Sequence, residues 1–171
     1  RIQDEGEPDF FTDYIASDRV PALKRFALEG PAAELSAAIM RSRRANFLFD
    51  GIFVKEAGVA KPSVWHQDQP YYCAEGRQVV VIWAPLDSVP ADTCLQCVRG
   101  SHTWGTAFRP VKFRDGASFG RDETHGYMDP PDVMTEHADK LMTWDLEPGD
   151  VIAFHGMTIH GASGNLQKSN R

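Results

Sequence analysis

Hydrophobic and polar positions follow two different patterns along this chain, and the change falls near residue 45. Before that point, residues 7–17 and 31–44 are predicted to be helices. In the second segment, apolar residues recur at helical spacing, and Pro31 suits the first helical position. We therefore expect residues 1–45 to form a helical support for the remainder of the chain.

From residue 46 onward, short apolar runs alternate with Gly, Pro, Asp and Asn, a pattern typical of strands joined by turns. Residues 103–140 carry little periodicity, and an irregular segment this long inside a compact domain is usually a lid or a mobile insertion. No helix-length crossover separates the other runs, so a sandwich or barrel is favoured over a βαβ fold. The predicted strands are residues 46–55, 77–86, 93–98, 141–146 and 151–160.

Length and charge exclude several classes of protein. With 171 residues, the chain is long enough for one domain with a sizeable core. Its 18 basic and 24 acidic residues give a net charge of −6, which argues against nucleic acid as a partner. No apolar run reaches the roughly 20 residues of a membrane-spanning helix. Three cysteines are too few for a disulfide framework, so we expect a cytoplasmic protein.

Since the chain lacks an initiator Met, we expect it to be a fragment.

A first candidate for chemistry is the pair His66 and Asp68 in the run Trp-His-Gln-Asp-Gln. On an extended strand, residues two apart point to the same face, so the imidazole and the carboxylate are expected to converge. Taken alone, the pair is more often part of a solvated surface loop. Its meaning therefore depends on a third group elsewhere in the chain.

That third group is predicted within residues 151–160, which read as one strand after a Pro-Gly turn. Strict alternation points His155 and His160 to opposite faces of the strand, unless a bulge intervenes. We select His160 as the ligand because it ends the strand, where the mouth of a barrel is expected. His155 is interpreted as a packed strand histidine.

Two histidines and one carboxylate on one side of a metal ion leave its other positions open, which suits non-haem Fe(II). Arg171 follows His160 after a turn rich in Gly, Ser and Asn, so the next strand can return its guanidinium toward the metal. The planar fork of arginine matches a carboxylate such as the far end of 2-oxoglutarate. The alternative is a solvated arginine.

At this point the chain resembles a known family, the phytanoyl-CoA dioxygenases. The resemblance covers roughly residues 46–171 and implies an Fe(II)- and 2-oxoglutarate-dependent oxygenase. It also implies a mainly β, double-stranded β-helix core, a cupin-like jelly roll with flanking helices. We therefore expect one oxygenase domain over residues 1–171, with an insertion at about 103–140. The runs that carry the resemblance are WHQDQPYY, QVVVIWAPLD, RGSH and EPGDVIAFHGMTIHGASGN, followed by Arg171.

Carried over by position, the resemblance implies that His66, Asp68 and His160 ligate iron and that Arg171 binds the 2-oxoglutarate carboxylate. Trp83 matches an aromatic position near the co-substrate. The chain departs from the family at Ala162 and at Arg99, where Ser and Pro are usual. Neither departure touches the metal ligands. Related halogenases replace the carboxylate ligand with a small residue, so the intact Asp68 disfavours halogenation.

Lys55 lies on the strand before the His-x-Asp segment and is a further candidate contact for the co-substrate, with a solvated lysine as the alternative. The cofactors implied are Fe(II), 2-oxoglutarate and O₂, and the partner is a small or medium organic metabolite that is hydroxylated. Two other functions stay open, a cupin-like metalloenzyme that does not use 2-oxoglutarate and a non-catalytic jelly-roll binding protein. The primary substrate and the oligomeric state are left open by the sequence.

Overall fold

The structure, a computed structural model, describes residues 10–59, 61–113, 117 and 126–165. The chain divides into two compact units, each presented by itself. The first comprises the described residues of 1–60 and 164–171, and the second those of 61–163. Among all of these residues, no helix is both long and apolar enough to cross a membrane.

The first unit combines a β-hairpin-like pair of strands with two short helices. Strand β1 (Phe10–Tyr14) pairs antiparallel with β2 (Gly51–Lys55). Helix α1 (Pro21–Leu28) and helix α2 (Pro31–Ile39) each begin with proline, whose missing N–H is no loss at the first helical position. Gly30 separates the helices, where an added Cβ would lie 2.6 Å from the carbonyl oxygen of Phe26. Only glycine permits this close approach.

The helix predicted over residues 7–17 is wrong where the structure describes it, because Phe10–Tyr14 is a strand. Its aromatic residues and threonine favour extended backbone, and pairing with β2 satisfies its backbone hydrogen bonds. The helix predicted over residues 31–44 is present but ends at Ile39. It ends there because Arg41 adopts a left-handed conformation with φ of 50°.

The second unit contains two antiparallel sheets. One has four strands in the order β3-β8-β5-β6, and the other pairs β4 with β7. Most predicted strands are present but shorter than expected, because the pairing ends where turn residues begin. The strands are β3 (Ser63–His66), β4 (Val80–Trp83), β5 (Leu95–Val98), β6 (Leu141–Met142), β7 (Ile152–His155) and β8 (His160–Ala162).

The single strand predicted over residues 151–160 is wrong. A turn at Gly156 and Met157 divides it into β7 and β8, which belong to different sheets. The break follows from strand pairing, since β7 pairs with β4 whereas β8 pairs with β3 and β5. Glycine suits the turn, because an added Cβ at Gly156 would lie 3.0 Å from Val79 and 3.3 Å from Gln69. The alternation of faces therefore restarts after the turn.

Strand β5 separates two clusters of buried side chains. Because successive residues of a strand point to opposite faces, Leu95 and Cys97 pack on one side and Val98 on the other. The first cluster also contains Val89, Cys94, Ile152 and Phe154. The second contains Phe108, Val133 and Ile159 as well.

The low periodicity of segment 103–140 predicted irregular structure throughout, but the described part of the segment contains regular elements. Its described part contains helix α3 (Val133–Glu136) and the 3₁₀ helix Ala138–Lys140. Phe108 and Val133 are buried in the second cluster, so this part of the segment belongs to the hydrophobic core. Residues 114–116 and 118–125 lie outside the described residues.

Replacing Ser101 with alanine is expected to destabilise the protein by about 1–3 kcal/mol, because it leaves a buried N–H without an acceptor. The Ser101 hydroxyl donates to the carbonyl of Val98 at 2.8 Å and accepts from the N–H of Ile159 at 2.8 Å. Urea unfolding measures the change. Thr103→Ala is the matched control, since the Thr103 hydroxyl is exposed and contacts only the carbonyl of Gly100. Equal losses in both variants would contradict the prediction.

Replacing Arg41 with glycine is expected to stabilise the protein by about 0.5–1 kcal/mol, since glycine adopts positive φ without a Cβ clash. The helix end itself is retained, because the N–H groups of Arg41 and Ser42 donate to the carbonyls of Ala38 and Ala37. Thermal unfolding measures the gain. Arg43→Gly is the control, because Arg43 lacks a positive φ, and it is expected to give no gain. An unchanged or lower melting temperature for Arg41→Gly would disprove the strain argument.

Candidate metal centre

The candidate centre starts from the pairing of β3 with β8. His66 and His160 are direct partners across this antiparallel pair. Residues opposite each other in a ladder share a face, so their imidazoles lie side by side with ring centroids 4.1 Å apart. Both side chains are buried. Two histidines that are distant in sequence are therefore brought together by strand pairing.

Asp68 reaches the same point from outside the strand. Strand β3 ends at His66, and Asp68 has helical backbone angles, so the extended geometry predicted for this pair is wrong. The turn still directs the carboxylate inward. The Oδ1 atom of Asp68 lies 3.3 Å from Nε2 of His66 and 3.6 Å from Nε2 of His160.

Local hydrogen bonds orient both imidazoles in the same way. The Nδ1 atom of His66 lies 2.8 Å from the carbonyl oxygen of Val64, and that of His160 lies 3.0 Å from the carbonyl oxygen of Thr158. Since a carbonyl only accepts, each Nδ1 carries the hydrogen and donates it. In the neutral rings, each Nε2 lone pair then faces Asp68, which is the arrangement of metal-ligating histidines.

The electrostatics favour the ligating protonation states. Burial raises the pKa of Asp68, but the hydrogen bond and charge of His66, the charge of His160 and a hydrogen bond with Tyr72 together outweigh burial, so the pKa lies below its usual value. Burial, together with His66, lowers the pKa of His160 to about 4. His160 is therefore neutral near pH 7 and Asp68 is ionised.

The donor set fits a divalent metal ion. One ligand atom from each of His66, Asp68 and His160 lies within 4.8 Å of the other two. Ligand atoms at about 2.0–2.2 Å from a metal are themselves about 3 Å apart when they sit at right angles. Two imidazole nitrogens and one carboxylate on one side leave further coordination positions open.

Aromatic rings enclose the two histidines. Phe113 meets His66 edge-on with ring centroids 4.6 Å apart, and Tyr71 meets it at 5.8 Å. Phe154 lies 4.6 Å from the ring of His160. The sequence analysis assigned no contact with the histidines to Phe113 or Phe154. Alternation along residues 151–160 puts Phe154 on the same face as His160, and this pattern could have indicated the contact.

Trp83, Lys55 and Arg171 stay predicted contacts of the co-substrate. Trp83 packs against the first core cluster. Lys55, in the first unit, is only 5 % exposed, and its Nζ lies 5.5 Å from the centre of the Phe10 ring, so the solvated alternative for Lys55 is wrong. Arg171 lies outside the described residues.

Gln67 was overlooked entirely, although it stands between two candidate ligands. Its side chain is 2 % exposed and makes three hydrogen bonds to other segments of the second unit. No periodicity marks such a residue. Its position between His66 and Asp68 was the only signal in the sequence.

Comparison with known proteins places this geometry in context. Two curated relatives are "Phytanoyl-CoA dioxygenase 1" of Oryza sativa subsp. japonica and "Phytanoyl-CoA dioxygenase" of Arabidopsis thaliana. Each is 26 % identical over 152 residues, which covers 88 % of this chain and 50 % of the relative. The chain therefore spans about half the length of these relatives.

Solved structures share the fold at low sequence identity. EvdO2 from Micromonospora carbonacea var. aurantiaca, complexed with 2-oxoglutarate, matches with a TM-score of 0.69 and 21 % identity over 97 % of this chain and 65 % of its own. The carbocyclase SnoK matches with a TM-score of 0.71 and 20 % sequence identity, and the match covers 95 % of this chain and 61 % of SnoK. EctD from S. alaskensis matches with a TM-score of 0.69 and 16 % sequence identity, and the match covers 94 % of this chain and 53 % of EctD. The predicted fold class, a mainly β jelly roll with flanking helices, is confirmed.

A family model extends the comparison over almost the whole chain. The model described as phytanoyl-CoA dioxygenase (PhyH) matches residues 2–171. This range includes the helical segments as well as the strands that carry His66 and His160, so it exceeds the predicted resemblance over residues 46–171. The chain belongs to the phytanoyl-CoA dioxygenase family.

Proposed function

We propose that this chain is part of an Fe(II)- and 2-oxoglutarate-dependent dioxygenase that hydroxylates a small or medium organic metabolite. The observation that carries the proposal is the approach of the Asp68 carboxylate to Nε2 of both His66 and His160, at 3.3 and 3.6 Å. Such a set holds one side of Fe(II) and leaves room for a co-substrate and O₂. Because the chain spans half of its curated relatives, the activity of the whole protein is part of the proposal.

In this proposal His66, Asp68 and His160 are the iron ligands, and Arg171 binds the distal carboxylate of 2-oxoglutarate. The ligands bound in structural neighbours support the cofactors. EvdO2 was solved with 2-oxoglutarate, and the epimerase SnoN with Fe³⁺ and alpha ketoglutarate. EctD was solved with 2-oxoglutarate and 5-hydroxyectoine. Trp83 and Lys55 stay predicted contacts of the co-substrate.

The reaction consumes the substrate, 2-oxoglutarate and O₂, and yields the hydroxylated substrate, succinate and CO₂. Bound iron supplies the activation of O₂ that this oxidation requires. The chain's own residues would hold the metal ion and orient its ligands. Each imidazole of His66 and His160 keeps its Nδ1 hydrogen on a backbone carbonyl and its Nε2 lone pair toward the centre. The rings of Phe113 and Phe154 pack against these imidazoles.

Hydroxylation is the proposed outcome, and halogenation is disfavoured because Asp68 occupies the ligand position that related halogenases leave for a halide. The neighbours include a carbocyclase and an epimerase, so the fold alone does not select the reaction. We propose a small-molecule substrate and, from the low number of cysteines, a reducing cytoplasmic location.

Removing a ligand is expected to weaken metal binding strongly. In Asp68→Ala and His160→Ala the dissociation constant of Fe(II), or of Co(II) as an air-stable probe, is expected to rise about 100-fold or more. Anaerobic calorimetric titration of the full-length protein measures this. His102→Ala is the matched control, because His102 is exposed on the 3₁₀ helix Ser101–Thr103. Metal binding that survives both ligand substitutions would overturn the proposed centre.

Replacing Arg171 with alanine is expected to raise the concentration of 2-oxoglutarate needed for half-maximal succinate formation by about tenfold or more, since a charge-assisted hydrogen bond pair is lost. Arg171→Lys keeps the charge without the fork and is expected to give an intermediate value. Arg99→Ala, at an exposed site, is the control. An unchanged requirement in Arg171→Ala would favour a metalloenzyme that does not use 2-oxoglutarate, and no succinate from the wild type would favour a binding protein.

A further inference from the structure

Gln67 lies between two proposed iron ligands, yet its side chain faces away from open solvent into the protein. Its Nε2 donates to the carbonyl oxygens of Thr106 at 3.0 Å and Met157 at 3.1 Å. Its Oε1 accepts from the N–H of Phe108 at 2.9 Å. Both amide hydrogens and the carbonyl oxygen are therefore used, and three distant segments of the second unit meet at one side chain.

We infer that Gln67 is a positioning residue, which fixes the carboxylate of Asp68 relative to His160 by tying the turn after His66 to the turn before His160. The inference rests on the proposed metal centre and adds to it a residue that touches neither metal nor substrate.

The need for such a residue follows from where Asp68 stands. His66 and His160 are held by direct strand pairing and by hydrogen bonds of their own rings. Asp68 lies beyond the end of β3 and lacks a ladder partner of its own among the described strands. Its carbonyl oxygen accepts from the N–H of Tyr71 at 2.9 Å within the same turn, and the residues on either side of it provide the hydrogen bonds to segments distant in sequence.

Those two neighbours are anchored to the same turn. The side chain of Gln67 donates to the carbonyl of Met157, and the backbone N–H of Gln69 donates to the carbonyl of Gly156 at 2.9 Å. Gly156 and Met157 form the turn between β7 and β8, which leads directly to His160. Consecutive carbonyls of one turn thus hold the two residues that flank Asp68, and a shift of either anchor moves the carboxylate relative to His160.

The second attachment of Gln67 provides rigidity. Its amide contacts Thr106 and Phe108, two residues apart, much as the backbone of an adjacent strand would do. Phe108 is buried in the second hydrophobic cluster. The turn that carries Asp68 is therefore connected to the packed core, whose side chains have little freedom to move.

Only an amide satisfies all three partners. Glutamate in either protonation state lacks at least one of the two donors, and methionine lacks both. The variant Gln67→Glu also separates the effect of charge on metal binding from the effect of displaced ligands. A negative charge added close to a divalent cation would tighten its binding, so weaker binding in Gln67→Glu reports displaced ligands rather than charge.

The test measures Co(II) binding and its visible absorption spectrum with the full-length protein, together with urea unfolding. Gln67→Glu and Gln67→Met are expected to raise the Co(II) dissociation constant about tenfold and to change the intensity of the d–d bands, because coordination geometry changes. Gln96→Glu is the matched control. Gln96 lies on β5 opposite Gly161 and points to the other face of the sheet from Cys97. The Co(II) dissociation constant of Gln96→Glu is therefore expected to stay within about twofold of the wild-type value.

The outcomes separate the inference from the proposed function. If wild-type protein binds no Co(II), the metal centre itself is wrong. If wild type binds and both Gln67 variants, folded at the assay temperature, keep its dissociation constant and spectrum, Gln67 is structural only and the inference is overturned. Should Gln67→Glu fail to fold, Gln67→Met carries the same comparison without a buried charge.

Discussion

The antiparallel pairing of β3 with β8 is the constraint on which the candidate centre depends. It makes His66 and His160 direct cross-strand partners, although nearly a hundred residues separate them in sequence. Their Nε2 atoms and the carboxylate of Asp68 then occupy one small volume. Three lone-pair donors at such short distances repel one another unless a cation or a proton lies among them. The site is therefore complementary to a metal ion in charge as well as in shape.

The surrounding structure serves to keep that pairing in register. Strand β5 lies beside β8 and divides two hydrophobic clusters, so that slippage by one residue would expose both. The hydroxyl of Ser101 joins the end of β5 to the N–H of Ile159, immediately before His160. Gln67 performs a comparable task on the other side of the centre. Short polar contacts thus place the ligands, while apolar packing supplies most of the stability.

Membership of the phytanoyl-CoA dioxygenase family and the shared jelly-roll fold limit the chemistry but do not select a substrate. Structural neighbours of this chain include enzymes described as a carbocyclase and an epimerase. The common element in our proposal is the metal centre, and the differences are expected in the residues that face the substrate. Phe113, which contacts His66, belongs to the segment 103–140, where the sequence carries least regular pattern.

The sequence by itself determined the donor types, the β-rich core and the family, because residue identity and short-range pattern carry that information. Only the tertiary structure decided how the donors meet. The helix predicted over residues 7–17 is strand β1 at Phe10–Tyr14, because pairing with β2 outweighs local preference. The strand predicted over residues 151–160 is divided at Gly156 and Met157, because its two halves pair with strands of different sheets. Asp68 reaches the centre from a turn rather than a strand, and the anchors of that turn come from segments far away in sequence, which no local pattern encodes.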